Sequence, residues 1–554
     1  MRMSRLVGRR YKERPAEATL ESHAFLLRGG YARQMANGTY SLLPAGSRVA
    51  QKIESILREE MDRIGGQEVR MPGLPADEEP GRSAEAVVDL CRNEISGYKQ
   101  LPFMVYRIQT TLPDAAQPGG GRARSGEFSV KHACSFHRTA DELDHYYDVC
   151  RAAYRRVFIR CGIPETAAVR SDPGRMGGTV AHAFVLLCNA GEETVVTCDR
   201  CGCRADLEVA EGRIAAFPGE PEPLEKVHTP GMKTIGDVAG FLGVEPRQTA
   251  KVVFYDSDGE GKLVMALIRG DVAMNEAKLA RIIHAEPVMA AEAKIRSVGA
   301  EPGFAAVMDI DRGRCRIVID HTVGESGNLV CGANEVDYHY RNFNLDRELP
   351  GAQTVDVATV REGDGCPRCD GTLVFKRGIE LGNIVQLGSR YAGPMGMTYL
   401  AEDGSGAVPL MGCYDLHLGR LFSSVMEARH DRFGPIWPIS IAPWQVHVNA
   451  LELGDGPVAD AADQLYADLS GAGLEVLFDD RDERPGVQFA EADLIGIPHR
   501  FIVSRRNVAQ GQVEWKRRDT GETGFCQPAE AVGLAEGWIA DSLARIRAEA
   551  DAVG

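Results

Sequence analysis

The chain has 554 residues, 44% of them apolar and 26% charged, and a formal net charge of −16. That is too long for one ordinary domain, and the balance is that of a globular protein rather than a disordered or fibrous one. No apolar run approaches the roughly 18 residues a membrane helix needs, and the N-terminus MRMSRLVGRRYKERPAE lacks an apolar signal core, so a cytoplasmic chain is expected.

The first elements read in order as an apolar-periodic helix, SHAFLLRGGYARQMANG, a β-like run, TYSLLP, and a longer helix, AGSRVAQKIESILREEMDRIG. A strand ending at Met71–Pro72 and the linker GLPADEEPGRS follow. The helix AEAVVDLCRNEISGYKQLP leads into the strand FMVYRIQT, and then into the Pro/Gly-rich stretch TTLPDAAQPGGGRARSGEF. FSVKHACSFH alternates like a strand, and DELDHYYDVCRAAYRRVFIRCG reads as a helix. Composition shifts at the Pro/Glu linker FPGEPEPLEKVHTPG. A self-contained α/β pattern then runs over about 225–350: TIGDVAGFLG helix, AKVVFY strand, KLVMALIRG strand, NEAKLARII helix, CRIVID strand. Strand patterning resumes at Gly378, and Ala442–Pro443 opens a final α/β unit expected to hold a mostly parallel sheet.

Fourteen cysteines in a large cytosolic chain do not predict a disulfide framework. TCDRCGC and GCPRCDG supply two C-x-x-C pairs, Cys198/Cys201 and Cys366/Cys369, with Cys203 beside the first. This spacing lets paired thiolates face one ion and predicts a structural Zn2+ site, with reduced, metal-free thiols as the alternative. The pairs can meet only if the segment between them is an insertion with close ends. The run HRFIVSRRNVAQGQVEWKRRD is basic, and either a solvated face or a nucleic-acid surface accounts for it.

Several long blocks, in one order, resemble a known family: SHAFLLRGGYARQMANGTYSLLPAGSRVAQKI, RNEISGYKQLP, KRGIELGNIVQLGSRY, LMGCYDLHLGR, PIWPISIAPWQVHV and DDRDERPGVQFAEADLIGIPHRFIV. They are similar to the bacterial type of prolyl-tRNA synthetase, a class II enzyme. The resemblance implies an α/β and α+β multidomain chain. A class II synthetase-like antiparallel sheet core would occupy residues 1–222 and 356–440, an inserted α/β editing-like domain 223–355, and an α/β anticodon-binding domain 441–554. It also implies tRNA as partner, ATP and Mg2+ as the family's cosubstrates, and a homodimer formed through the N-terminal segment.

Departures from the family pattern fall on the adenylate chemistry. A synthetase steadies phosphate charge with arginines. Against the family's second motif, the arginine position holds Pro113 and the glutamate position Ala115, and loop arginines become Gln117, Gly119 and Gly126; only Arg124 and Glu127 match. In the third motif Asp415 and His417 stand at glycine positions, and Arg420 is kept. The loop expected to hold the proline amine aligns with Arg82, Ser83 and Ala84, and the His–Glu pair of the proline pocket becomes His182–Ala183.

The insertion keeps the family's editing features: Lys251, then Gly299, Pro302 and Gly303 in a glycine loop, then Asn334 and His339. In the family this domain hydrolyses alanine wrongly attached to proline tRNA. Arg481, Glu483 and Arg484 match the anticodon-contacting run, with a salt-bridge cluster at a helix entry as the alternative. The expectation is a chain that binds aminoacyl-tRNA without forming an adenylate, and passes the acyl group to a small-molecule amine acceptor or to water. In it, Asp415 and His417 either act as catalysts or plug a vacated pocket by bonding each other. Retained proline–tRNA ligase activity and a non-catalytic tRNA-binding module are the alternatives.

Overall fold

The computed structural model describes residues 1–16, 18–36, 39–72, 81–110 and 129–553. Most of the linker after Met71 and nearly all of the arginine-depleted stretch, with Arg124 and Glu127, lie outside the described residues. Contacts divide the chain into two compact units. One comprises Met1–Ala168, Pro173–Glu193 and Arg377–Gly554; the other comprises Val169–Asp172 and Thr194–Lys376. The second unit is wider than the 223–355 expected from sequence. Val196, Cys198, Ala210, Val360, Cys366 and Leu373 bury one another, so both cysteine-bearing segments travel with the insertion.

The first unit is built on a central sheet. Six strands, in spatial order, are Gly66–Glu68, Phe103–Gln109, Val130–His137, Leu410–His417, the part of Leu373–Gly388 from Arg377 onward, and Val180–Leu187. All neighbouring pairs are antiparallel except the first. Helices Pro44–Arg63 and Ala140–Arg160 bury Ile53, Leu57, Tyr154 and Phe158 together with Leu416 of the sheet. Thr139 starts the second of these helices by accepting from the Glu142 N–H at 3.2 Å. Glu60 fixes the pair of helices, accepting from Arg156 Nε at 2.6 Å and from Arg160 Nη1 at 2.8 Å. Helix Arg82–Cys91 contributes Ala84 and Val88 to a second cluster with Cys134, Phe136, Val385 and Cys413.

The helical pattern read over SHAFLLRGGYARQMANG is cut in half. The helix Glu21–Arg28 stops at a glycine pair, and Ala32–Ala36 is a strand paired with Thr39–Leu42. Gly30 takes φ +76°, and a Cβ there would stand 2.7 Å from the Gly8 carbonyl oxygen, so no helix can continue through it.

The C-terminal segment forms a five-stranded sheet in the order Val476–Asp479, Val446–Ala450, His499–Val503, Val513–Arg517, Thr523–Cys526. Its first three strands are parallel and the last two antiparallel, so the mostly parallel sheet expected is half of a mixed one. The second unit carries two three-stranded sheets. One is Ala250–Tyr255, Leu263–Arg269 and Cys315–Ile319; the other is Glu225–His228, Tyr338–Phe343 and Leu329–Gly332. No described helix is long and apolar enough to cross a membrane.

Candidate functional site

Three groupings of chemistry-bearing residues stand out, beginning in the central sheet. Alternation along Val130–His137 sends Lys131 to one face and His132 and Cys134 to the other. The antiparallel partner strand sets Cys413 opposite Cys134 and Asp415 opposite His132. His132 Nδ1 lies 2.5 Å from Asp415 Oδ1. Burial opposes a charge on His132, but Asp415 and then Cys413 outweigh it and raise the imidazole to about 10. Burial likewise works against Asp415, yet His132 holds its carboxyl below the ordinary value. Asp415 Oδ1 is thus engaged by His132, a residue sequence reading did not single out, and His417 adds to the charge that holds the Asp415 carboxyl down.

His417 ends the strand and precedes helix Leu418–Ala428, on which Arg420 Nη1 reaches the Glu380 carbonyl oxygen at 3.3 Å. His182 Nδ1 lies 2.8 Å from Tyr147 Oη, which donates to the Ile384 carbonyl at 3.1 Å. On the opposite face Lys131 donates to Tyr154 Oη at 2.8 Å and to the Tyr414 carbonyl at 3.2 Å, and burial brings its ammonium down to about 8. Arg82, Ser83 and Ala84 form the first turn of a helix, where Ser83 Oγ accepts from buried Arg107 at 2.7 Å.

In the second unit, residues far apart in sequence line one cavity of about 390 Å3: Lys233, Lys251, Pro302, Gly303, Gly332 and His339 are among them. Lys251 sits on a strand, and its Nζ donates to the Gly270 carbonyl at 3.1 Å. Burial lowers its ammonium, opposed by Asp271. His339 Nδ1 lies 2.6 Å from Thr229 Oγ1, and burial lowers the imidazole, which keeps it neutral near pH 7. Gly332 admits the Phe304 backbone, since a Cβ there would stand 2.2 Å from the Phe304 carbonyl oxygen. Gly299, at φ +91°, is not among the lining residues. Asn334 ties two chain segments instead, donating to the carbonyls of Ala306 at 3.2 Å and Met308 at 2.8 Å. Lys233 is a second cation at the cavity that sequence reading did not single out.

The third grouping is the cysteine cluster. One Sγ each from Cys198, Cys201, Cys366 and Cys369 lies within 4.8 Å of the others. Cys198 and Cys369 are 3.5 Å apart, and Cys201 and Cys366 3.8 Å. A tetrahedron with Zn–S bonds of about 2.3 Å has edges of about 3.8 Å, so the donors fit Zn2+. Cys203 Sγ, 3.7 Å from Cys366, is a nearby fifth thiol.

The C-terminal domain separates two of the expectations. Arg481 is held as a fork on buried Asp479 at 2.8 Å through both Nε and Nη2, and also pairs with Glu491. That is the salt-bridge reading for Arg481, whereas Glu483 and Arg484 are exposed. Within the basic run, Arg500 and Arg518 are buried and bonded to Asp493 and Asp431, so their charge is spent inside the fold.

A family model described as an aminoacyl-tRNA editing domain matches residues 229–349, and one described as an anticodon binding domain matches residues 441–536. The proline–tRNA ligase of Geobacter sulfurreducens is 40% identical over 565 residues, covering 96% of this chain and 98% of its own. That of Geobacter metallireducens is 38% identical over 576 residues, covering 98% of this chain and all of its own. Among solved structures, prolyl-tRNA synthetase from Cryptosporidium parvum, complexed with halofuginone and AMPPNP, aligns with a TM-score of 0.52. It covers 96% of this chain and 79% of that one at 11% identity, a likeness of fold.

Proposed function

Because this chain belongs to the proline–tRNA ligase family, we propose that it binds tRNA and acts on the bond between an amino acid and the tRNA 3′ end. Its fold is the class II synthetase fold with an inserted editing domain and a C-terminal anticodon-binding domain. The observation that carries the proposal is the cavity lined by Lys251, Pro302, Gly303 and His339 inside the segment matched as an editing domain. There a wrongly attached acyl group would be hydrolysed, the ester carbon–oxygen bond breaking while water supplies the new carboxylate oxygen. Lys251 is suited to hold negative charge developing on the ester, and the glycine loop to let the tRNA end approach.

Ligation of proline is the reading that the relatives favour, since they match nearly end to end. ATP and Mg2+ would be its cosubstrates. At the positions that the resemblance gives to nucleotide contacts, the described residues are Asp415, His417 and Arg420. One carboxylate, one imidazole and one guanidinium do not fit a polyphosphate cradle by themselves.

That observation favours a second reading, a divergent family member that uses aminoacyl-tRNA without making it. An amine acceptor would attack the acyl carbon, the 3′ oxygen would leave, and His417 would carry the proton from nitrogen to oxygen. A structural Zn2+ on the four cysteines, a homodimer through the N-terminal segment, and a cytoplasmic location belong to both readings. Proline-dependent ATP–pyrophosphate exchange decides between them. Exchange supports ligation; its absence, together with acceptor-dependent consumption of charged tRNA, supports the second reading. Failure to bind tRNA at all overturns both.

A further inference from the structure

We propose that His132, Cys134 and Cys413 form a transition-metal site in the central sheet, separate from the four-cysteine cluster, with Asp415 orienting the histidine. The three residues come from two neighbouring strands, and one donor atom from each lies within 4.8 Å of the others. Cys134 Sγ is 3.7 Å from His132 Nε2. A tetrahedral zinc ion with bonds of about 2.3 Å to sulfur and about 2.0 Å to nitrogen sets such donors about 3.5 Å apart. The Cys134–Nε2 spacing is close to that value, while Cys413 Sγ stands 3.9 Å from Nδ1 and within the 4.8 Å that encloses the three donors.

The orientation of the imidazole is the second, independent observation. His132 Nδ1 is 2.5 Å from Asp415 Oδ1, and Nε2 is the nitrogen nearer Cys134. A histidine that donates one N–H to a carboxylate and turns its other nitrogen toward a thiolate is arranged as a metal ligand with its supporting group. Cys134 is 0% exposed, Cys413 1% and His132 6%, and Ala84, Val88, Val105 and Val385 share their cluster. Two thiolates and an imidazole in apolar surroundings select a borderline-soft cation, Zn2+ before Mg2+ or Ca2+. Binding exchanges the two thiol protons and the proton on Nε2 for the ion. Three protein donors leave a fourth position open to water or a substrate's nitrogen or oxygen base. Asp415, with a side chain 19% exposed, marks the more accessible end.

Elemental analysis of full-length protein grown with zinc tests the site. A variant with all five clustered cysteines replaced (Cys198→Ser, Cys201→Ser, Cys203→Ser, Cys366→Ser, Cys369→Ser) should retain one equivalent of zinc. In that background, Co2+ should give thiolate-to-metal charge-transfer absorption with tetrahedral d–d bands. Adding Cys134→Ala and Cys413→Ala should abolish both, and Asp415→Asn should weaken Co2+ affinity roughly 10–100-fold. Near-ultraviolet circular dichroism checks that each variant is folded. If the variant that also lacks Cys134 and Cys413 does not fold, metal content and the cobalt spectrum of the protein without the five clustered cysteines decide alone: one tetrahedral thiolate-bound ion supports the site, and none overturns it. Equal metal content with and without Cys134 and Cys413 also overturns it.

Discussion

In the inserted unit, Lys251 and His339 border an open cavity of about 390 Å3. In the central sheet, His132, Asp415, Cys134 and Cys413 face one another at 2.5–3.9 Å. Both sets are titratable, but Lys251 and His339 each make one hydrogen bond and still border space, whereas the sheet residues face one another. A polar group that borders empty volume keeps its remaining hydrogen-bonding capacity for a ligand. A buried group already bonded to its neighbour is committed to the fold, or to whatever ion can replace a proton between the partners.

The sharpest way to break this contrast is to remove one partner from each set. Asp415→Leu should lower unfolding stability by roughly 3–5 kcal/mol, because it strands a buried imidazole. Urea denaturation of metal-stripped protein measures this, and a loss below about 1 kcal/mol would mean that the pair is not committed to the fold. Lys251→Ala should leave the urea midpoint almost unchanged while slowing deacylation of mischarged tRNA about 10²-fold, the usual cost of losing one preorganised charge stabiliser. A rate equal to the parent's removes Lys251 from the chemistry.

Acid sharpens the comparison through buried histidines of the first unit. Burial holds His137 and His499 at about 4, below their ordinary 6.5. The unfolded chain therefore takes up protons first, and stability present above pH 6.5 is lost as pH falls from 6.5 toward 4. At pH 5.5 each should cost roughly 1.4 kcal/mol, read from denaturation midpoints at pH 7.5 and 5.5. The smallest effect on stability is expected at Arg484: Arg484→Ala should change it by no more than about 0.5 kcal/mol, yet reduce the salt dependence of tRNA binding by about one phosphate contact. Arg481→Ala should instead destabilise the domain by leaving Asp479 buried and alone.

What could be read from the sequence follows the range of the interactions. The Cys-x-x-Cys pairs were legible because each half of the site is local, and only their meeting across more than 160 residues needed the fold. Helices and strands of the insertion announced themselves by periodicity, and Lys251, Pro302, Gly303 and His339 by the order of their blocks. His132 was not legible. Its partner Asp415 is 283 residues away, and nothing in FSVKHACSFH says which strand will pair with it. Arg500 and Arg518 show the same limit, since a string of basic letters does not reveal which guanidiniums are already answered by a carboxylate.

The pinch at the foot of the insertion has a consequence for how such a chain can change. Cys201 and Cys366 stand 165 positions apart in sequence and 3.8 Å apart in space. The entropy of closing a flexible loop grows only logarithmically, so doubling a detour costs roughly 0.6 kcal/mol more. A module tied off at its stem can lengthen, shorten or be exchanged for another while the strands on either side still meet in register, which makes this junction a natural seam for grafting.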